Sequence, residues 1–423
     1  MKSIEQIASE LQGYDPQALS ADQVAAFLRQ LAPGPARAAT QVLPVIEALD
    51  RVVARDVVSP VSVPPHDNSA MDGYAFRGAE LSQGSSVTLR CVGTALAGPA
   101  WPGHVGAGEC VKIMTGAVMP TGLDTVVPQE MTQVAQDQVT FPASALRTGD
   151  NRRLCGEDIA QGEVALPAGT RVGPAALGLL ASLGVPEVSV YPRLRVAYFS
   201  TGNEILSLGQ VPREGAVYDS NRYTVLGLLT RMGCQMVDLG VCPDDPALLE
   251  ARFRQAAGSA DVVITSGGVS VGEADFTKAM MRQLGDVAFW RIAMRPGRPM
   301  AVGRIGPCVL FGLPGNPVAV MVTFLAFVRP ALLRLMGAIE RPLPVVRARS
   351  QERLRKKPGR TEYQRGILSR GSDGDWQVRT TGQQGSGVLS SMVQADGLMV
   401  LPHEQGDVQV GDWVDVMLFD TPG

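Results

Sequence analysis

The sequence predicts a multidomain α/β plus β protein: a doubly wound α/β domain, an inserted β domain, a helical N-terminal region and a C-terminal β barrel or sandwich. Three observations predict this architecture. The chain has 423 residues, which is too long for one ordinary core. Predicted strands and helices alternate from about residue 191, as they do in a parallel sheet covered by helices. Short strands separated by glycines occur on both sides of that stretch.

Composition excludes several classes of protein. Hydrophobic residues make up 45% of the chain and charged residues 19%, and the net charge is −3, so nothing favours nucleic acid or a membrane surface as partner. The six cysteines lack CxxC spacing and nearby histidines, which indicates neither a zinc site nor a disulfide framework. The polar N-terminus lacks a signal-type core, and no window approaches the roughly 18 uninterrupted apolar residues of a membrane helix. We therefore expect a cytoplasmic protein.

The first 50 residues carry helical patterning. Apolar residues recur with helical spacing from Ile4 to Leu11 and again from Val24 to Leu31, with Pro and Gly interruptions. Another helix is predicted from Ala175 to Leu183, where Gly184 ends it.

Two regions are predicted to be β-rich. A small β domain is indicated by strands at residues 87–89, 108–113 and 125–127. After residue 344, five short strands with turn residues between them predict a compact C-terminal β domain, at 345–350, 363–368, 376–380, 397–401 and 413–417.

The central stretch predicts the α/β domain. Strands are expected at residues 194–200, 235–241 and 261–265, and helices at 222–232, 246–257, 274–284 and 318–336. The strands end in small or acidic residues, among them Glu204 and Asp244. The carboxyl ends of parallel strands are where ligands bind in such sheets, so this edge is the predicted site.

The loop after residue 265 is the strongest single signal. Ser266-Gly267-Gly268 lets backbone approach a ligand closely, and Ser266 and Ser270 add hydroxyls, so an anion or nucleotide would fit. Glu273 and Asp275 place carboxylates where they could hold a divalent cation. An ordinary strand-to-helix loop with an acidic first turn accounts for the same residues equally well.

The following residues favour the binding interpretation. Arg291, Arg295 and Arg298 surround a strand end and a Pro-Gly turn, and residues 311–317 are another strand that breaks into a Gly/Pro loop. Carboxylates, hydroxyls, amides and guanidinium groups would therefore converge on one edge of the sheet.

Eight segments together resemble a known family. They are Asp-Asn-Ser-Ala-Met-Asp-Gly-Tyr-Ala at 67–75, Ile-Met-Thr-Gly-Ala at 113–117, Gly-Glu-Asp at 156–158, Ser-Thr-Gly-Asn-Glu at 200–204, Tyr-Asp-Ser-Asn at 218–221, Ser-Gly-Gly-Val-Ser-Val-Gly-Glu-Ala-Asp at 266–275, Arg-Pro-Gly-Arg-Pro at 295–299 and Leu-Pro-Gly-Asn-Pro at 313–317. In this order they resemble the MoeA-type molybdopterin molybdenumtransferases, which are related to the E domain of gephyrin. The agreement runs from about residue 20 to the C-terminus.

The resemblance implies four subdomains. These are an elongated helical region from residues 1–50 with 150–190, an inserted β domain at 51–149, a molybdopterin-binding α/β domain at 191–338 and a C-terminal β domain at 339–423. It implies a homodimer whose cleft faces the partner chain. It also implies insertion of molybdate into adenylylated molybdopterin with release of AMP, and partner enzymes such as a molybdopterin adenylyltransferase and molybdoenzyme-maturation proteins.

The resemblance also assigns residues to roles. Molybdate is a tetrahedral dianion, and the positions matched to it are Arg291, Arg295, Arg365 and Ser386. Positions matched to catalysis are Asp72, Thr115, Asp158, Glu204, Asp244 and Asp275, and we expect Glu204 and Asp275 to hold Mg²⁺ while Asp72 acts from the partner subunit. The pocket for the pterin and its phosphate is assigned to Ser266, Gly267, Gly268, Ser270, Pro314 and Pro317.

The chain departs from the family pattern at a few positions. Arginine replaces a frequent lysine at residues 291, 295 and 298, in a chain with only five lysines, so we interpret the change as charge-preserving. His66 stands where an aromatic is frequent, and a stacking or spacer role is favoured over a ligand role. Two other functions are considered: a scaffold that has lost turnover, and the preceding adenylyl transfer onto molybdopterin.

Overall fold

The computed structural model describes residues 2–268 and 276–419. Within these residues the strands form three six-stranded sheets and four two-stranded ribbons. One large sheet belongs to each of the three β-containing regions that the sequence predicts.

The central sheet is doubly wound, as predicted. Its strands lie in the order Gln235–Cys242, Arg195–Thr201, Val262–Ser266, Cys308–Leu313, Pro299–Ile305 and Asp286–Arg291. The first four are parallel, whereas the last two extend the sheet in antiparallel fashion. Successive residues of one strand point to opposite faces of the sheet, since Tyr198 packs in one hydrophobic cluster and Phe199 packs in another. The sheet is therefore covered on both faces, which explains its nearly continuous apolar strands.

Helices cover this sheet: Ser220–Arg231, Pro246–Ser259, Phe276–Leu284 and the run Pro317–Leu335, which contains a π-helical turn at Phe324–Val328. Two of them begin with aspartate caps. Asp219 accepts a hydrogen bond from the Arg222 backbone N–H, and Asp245 accepts one from Leu248.

The helical run Pro317–Leu335 has the length and composition of a membrane span, with a mean hydropathy of 1.9, although Arg329 and Arg334 interrupt its apolar residues. In the fold, 72% of the most apolar 18-residue stretch of this run is buried inside the protein. A helix that is apolar all round is typical of a protein core as well as of a membrane, and here its apolar surface contacts protein.

The N-terminal helices Ile4–Glu10 and Ala21–Leu31 each begin with a Ser-x-x-Gln capping box. They pack on the α/β domain, where Phe27 meets the Trp290 ring edge-to-face with centroids 4.8 Å apart. The grouping of residues 1–50 with 150–190 remains a prediction, but the contacts of these two helices are with the α/β core.

Segments far apart in sequence pair in the next region. Gln41–Pro44 pairs with Glu187–Val190, and Val57–Val58 pairs with Val164–Leu166, beside the helix Pro174–Ser182. Between them lies a β sheet with the strand order Thr125–Pro128, Gly73–Phe76, Glu109–Ile113, Ser86–Ala95, Gln138–Pro142 and Gln133–Ala135.

The C-terminal region is a closed barrel. Its five strands follow one another around the ring as Thr361–Arg370, Trp376–Thr380, Val345–Ser350, Trp413–Leu418 and Gly397–Leu401, and the last pairs with the first. Because the sheet is closed, the C-terminal domain is a barrel and not a sandwich, the other predicted alternative. A closed sheet has no free edges. The short strand Met294–Arg295 joins this barrel at Thr361, and a short helix, Ser390–Gln394, lies beside it.

Candidate functional site

A cavity of about 520 Å³ opens at the carboxyl ends of the parallel strands. This is the sheet edge that the sequence predicts as the site, and the volume is typical of small-molecule sites. Its lining comes from several loops: Ser200, Thr201, Glu204, Ile205, Val217, Tyr218, Asp219, Ser220, Asn221, Ser266, Gly267, Gly315, Asn316, Pro317 and Gly387.

The glycines after the strand Val262–Ser266 are required by close packing. Gly267 has φ +88°, and a Cβ there would lie 2.6 Å from the Thr201 carbonyl oxygen. Gly268 has φ +64°, and its Cβ would lie 2.5 Å from Thr277 Cβ. Only glycine fits both positions without displacing its neighbours. Ser270, Glu273 and Asp275 lie outside the described residues.

Three hydroxyl groups form a buried network beneath the cavity. The Tyr198 hydroxyl lies 2.7 Å from Ser266 Oγ and 3.0 Å from Ser200 Oγ, and the two serine oxygens are 3.3 Å apart. Burial, and next the negative charge of Asp219, raise the pKa of Tyr198 well above its usual range, so the phenol stays neutral. The Ser266 side chain is thus tied to the sheet. Tyr198 could not be predicted as part of the site, because a tyrosine in a strand is typical of a core.

Carboxylate and amide oxygens accumulate on one side of the cavity. The Glu204 side chain folds over Gly202, since a Cβ on that glycine would lie 2.6 Å from Glu204 Oε2. Asp219 Oδ2, Asn221 Oδ1 and Thr201 Oγ1 are buried and have no hydrogen-bond partner within the part of the chain that the structure describes. Buried polar atoms are normally paired, so acceptor capacity is concentrated here. The motif at 218–221 was the sequence signal for Asp219, which had no assigned role.

Asp244 lies beside this edge rather than in the lining of the cavity. Its backbone N–H donates to Asn203 Oδ1 over 3.2 Å, which ties the ends of two adjacent strands together. The structure therefore places the predicted Asp244 next to the Glu204 loop.

The donor set suits a hard divalent cation. Within residues 2–268 and 276–419 no group of three or more His, Cys, Asp or Glu side chains could hold a metal by itself. Mg²⁺ is commonly bound by one or two carboxylates together with substrate phosphates and water. Glu204 on the cavity wall fits that pattern, while Asp275, the other expected ligand, is outside the described residues.

The predicted molybdate-binding arginines differ in exposure. Arg291 and Arg295 are exposed, whereas the Arg365 side chain is only 1% exposed. Arg365 Nε donates to Ser391 Oγ over 3.0 Å, and its Nη2 donates to the Gly385 carbonyl over 3.0 Å. Burial, and next the charge of Arg295, lower the pKa of Arg365 to about 10, so it remains a cation at neutral pH.

Ser386 joins the barrel to the cavity rim. Its Oγ accepts a hydrogen bond from Asn316 Nδ2 over 3.0 Å, and its carbonyl accepts one from the Val318 N–H over 3.1 Å. Pro317 and Gly387 line the cavity here, and Pro314 is buried at the end of the preceding strand. Because Arg365 holds the adjacent Gly385 carbonyl, it fixes the loop that carries Ser386.

Three other predicted site residues, Asp72, Thr115 and Asp158, lie elsewhere in the chain. Asp72 Oδ1 accepts hydrogen bonds from the Thr115 backbone N–H and hydroxyl, both over 2.7 Å. These bonds lower the pKa of Asp72, with a smaller contribution from Lys112. The Asp158 backbone N–H donates to the Val63 carbonyl over 3.1 Å. Over the described residues, none of Asp72, Thr115 and Asp158 is among those that line the 520 Å³ cavity.

Comparison with known proteins covers nearly the whole chain. Residues 19–184 match the MoeA N-terminal region (domain I and II), residues 197–334 match a probable molybdopterin binding domain, and residues 347–419 match the MoeA C-terminal region (domain IV).

Two relatives of this chain share one name. The molybdopterin molybdenumtransferase of Haemophilus influenzae is 40% identical over 95% of this chain and 99% of its own length. The protein of that name from Nostoc sp. is 36% identical over 90% and 89%. A solved structure, the molybdopterin biosynthesis moeA protein from Pyrococcus horikoshii OT3, superimposes with a TM-score of 0.79 at 26% identity, over 95% of this chain and all of that one. The resemblance inferred from the motifs is confirmed, and the chain belongs to the MoeA family of molybdopterin molybdenumtransferases.

Proposed function

We propose that this chain inserts molybdate into adenylylated molybdopterin and releases AMP, which completes the molybdenum cofactor. One observation carries the proposal. The 520 Å³ cavity lies at the strand ends of the region that matches a probable molybdopterin binding domain, and it is bordered by the Ser-Gly-Gly loop and the Glu204 carboxylate. The names of the similar proteins support the same reaction.

The cavity wall suits an anionic, phosphate-bearing substrate. With no side chain at Gly267, a phosphate can approach the backbone closely. Asp219 and Asn221 also line the cavity, and their unpaired acceptor oxygens would accept hydrogen bonds from the N–H groups of a pterin ring.

Molybdate is the second substrate, and arginines are its expected ligands. Arg291 and Arg295 are exposed and form no ion pair with the described residues, so their donors are available to a dianion. Arg365 adds a nearby positive charge while it holds the Ser386 loop in place.

Mg²⁺ is part of the proposal, with Glu204 and Asp275 as its protein ligands. A bound Mg²⁺ would polarise the phosphoanhydride and neutralise the charge that develops on AMP. Glu204 supplies an oxygen at the cavity wall, and the Gly202 backbone beneath it leaves room for the carboxylate.

We further propose that the active form is a homodimer in which Asp72, Thr115 and Asp158 reach the cavity of the partner subunit. Thr115 donates to Asp72 and lowers the pKa of that carboxyl, although none of the three is among the residues that line the cavity of its own chain. Two half-sites on different chains would account for both observations.

Two other functions fit less well. Adenylyl transfer onto molybdopterin needs only an α/β domain, whereas the N-terminal and C-terminal MoeA regions are both present here. A non-catalytic scaffold would not need acidic and basic residues at the matched site positions. This chain has such residues there. A cytoplasmic location and contacts with a molybdopterin adenylyltransferase and maturation proteins belong to the same proposal.

The test is AMP release from adenylylated molybdopterin by the purified protein with Mg²⁺, with and without micromolar molybdate. We expect molybdate-dependent release that is lost in Glu204→Gln, which keeps the size of the side chain but removes its charge. Nucleotide binding without release would support the scaffold instead. Pyrophosphate formation from ATP and free molybdopterin would support adenylyl transfer.

A further inference from the structure

A second cavity, of about 570 Å³, lies where residues 169–173 meet the helix Arg329–Leu335 and the segment 341–344 that leads into the barrel. Its lining shares no residue with the 520 Å³ cavity. The volume falls within the range of small-molecule sites. The proposed molybdate insertion gives this cavity no role.

Backbone contacts fix the walls of this junction cavity. The Ile339 N–H donates to the Gly169 carbonyl over 2.8 Å, and a Cβ on Gly169 would lie 3.0 Å from Ile339 Cγ1. On the other side, the Asp50 N–H donates to the Val172 carbonyl over 2.9 Å. The cavity is therefore framed by hydrogen-bonded main chain from three separate segments.

The lining is strongly positive. Its lining residues include three arginines, Arg171, Arg329 and Arg341, and one carboxylate residue, Asp50. The carboxylate pairs with Arg171, whose Nη2 lies 2.8 Å from Asp50 Oδ1. The net positive charge of the lining therefore comes from Arg329 and Arg341.

The two remaining arginines lie together. Arg329 Nη1 donates to the Arg341 carbonyl over 2.9 Å, which brings the two residues into contact. Burial, and next the repulsion from Arg171, lower the pKa of Arg329, and Glu340 opposes this more weakly. Glu340 is itself ion-paired with Arg334 over 2.6 Å. A bound anion would supply the counter-charge that these arginines lack inside the cavity.

The rest of the lining is apolar, from Val172, Leu333, Ala338, Ile339, Leu343 and the prolines at 342 and 344. We propose that the junction cavity binds a phosphate monoester carried on a ring or another apolar body. The dianion matches the two uncompensated arginines, guanidinium groups prefer phosphate oxygens, and the apolar wall accommodates the ring. This inference is independent of the proposed molybdate insertion.

Isothermal titration of the purified full-length protein with phenyl phosphate at low salt tests the proposal. Phenyl phosphate should bind more tightly than inorganic phosphate, which lacks the ring, and than benzoate, which carries a single charge. Arg341→Gln removes an exposed guanidinium and should weaken phenyl phosphate binding about tenfold. Arg329→Gln should have an effect of the same size.

Arg379→Gln is the matched control, because it removes an exposed arginine of the barrel that lines neither cavity and should leave phenyl phosphate binding unchanged. Equal binding to Arg341→Gln and the unmodified protein would overturn the proposal, as would loss of binding in Arg379→Gln. Equal affinity for benzoate and phenyl phosphate would refute the assignment of a dianion.

Discussion

Tyr198→Phe is the most informative single substitution, because it removes one buried oxygen and leaves the shape of the core unchanged. That oxygen holds Ser200 over 3.0 Å and Ser266 over 2.7 Å, directly beneath the cavity. The substitution therefore tests whether the hydroxyl network stabilises the strand ends that carry the Ser-Gly-Gly loop.

The magnitude follows from the bonds that are lost. A net hydrogen bond contributes about 1 kcal/mol, and two are removed. Because Ser200 and Ser266 remain 3.3 Å apart and keep each other as partners, the expected loss is about 1–2 kcal/mol. This corresponds to a roughly 5- to 30-fold increase in local opening.

Hydrogen exchange is the suitable assay, since it reports the stability of each strand in a multidomain chain. Amides of Arg195–Thr201 and Val262–Ser266 should exchange about 5- to 30-fold faster in Tyr198→Phe. Tyr363→Phe is the matched control, because that tyrosine is also buried and, among the described residues, its pKa is raised by burial and Asp22 without a contribution from a hydrogen bond. Equal effects of the two substitutions on these amides would refute the reasoning.

Two further substitutions test the loops of the proposed site. Thr115→Val removes the hydroxyl bond to Asp72 and should raise the pKa of that carboxyl toward its ordinary value, as followed by NMR titration; an unchanged pKa would contradict the assigned cause. Since the folded pKa is lowered, the native protein gains stability from Asp72 above the ordinary aspartate pKa and loses it as the pH falls through the lowered value. Gly267→Ala forces a Cβ to within 2.6 Å of a carbonyl oxygen and should lower kcat/KM for AMP release about 100-fold. Gly209→Ala is the control, since it lies at φ +86° in open space and adds backbone strain alone. Similar losses of kcat/KM in both variants would exclude the steric explanation.

Local signals predicted the fold well where they were strong. The bounds of Val345–Ser350, Trp376–Thr380 and Gly397–Leu401 were predicted correctly, because alternating strands between turn residues are locally encoded. The strand-helix alternation likewise predicted the doubly wound sheet and the edge where the cavity lies.

Long-range pairing was beyond these signals. Closure of the barrel depends on Glu362 facing Leu401 across the ring, and no local pattern specifies that register. The antiparallel pairing of the last two strands of the central sheet could not be predicted either, since their local sequence pattern does not differ from that of the parallel strands.

The resemblance assigned individual residues to the site, and those roles stay predictions, but it gave no indication of their geometry. The match to family positions included Arg365 without indicating that its guanidinium is buried against a loop of the barrel. The junction cavity combines Asp50, Arg171 and Arg341, which are too far apart in sequence to form a motif.

Mixed dimers test most directly whether the cavity is one half of a site shared between two chains. Asp72→Asn and Glu204→Gln proteins, each inactive alone, would be unfolded together, refolded and assayed for molybdate-dependent AMP release. A shared site leaves one intact site in each mixed dimer, so a 1:1 mixture should recover about a quarter of the native activity. No activity above that of the separate variants would contradict the shared site.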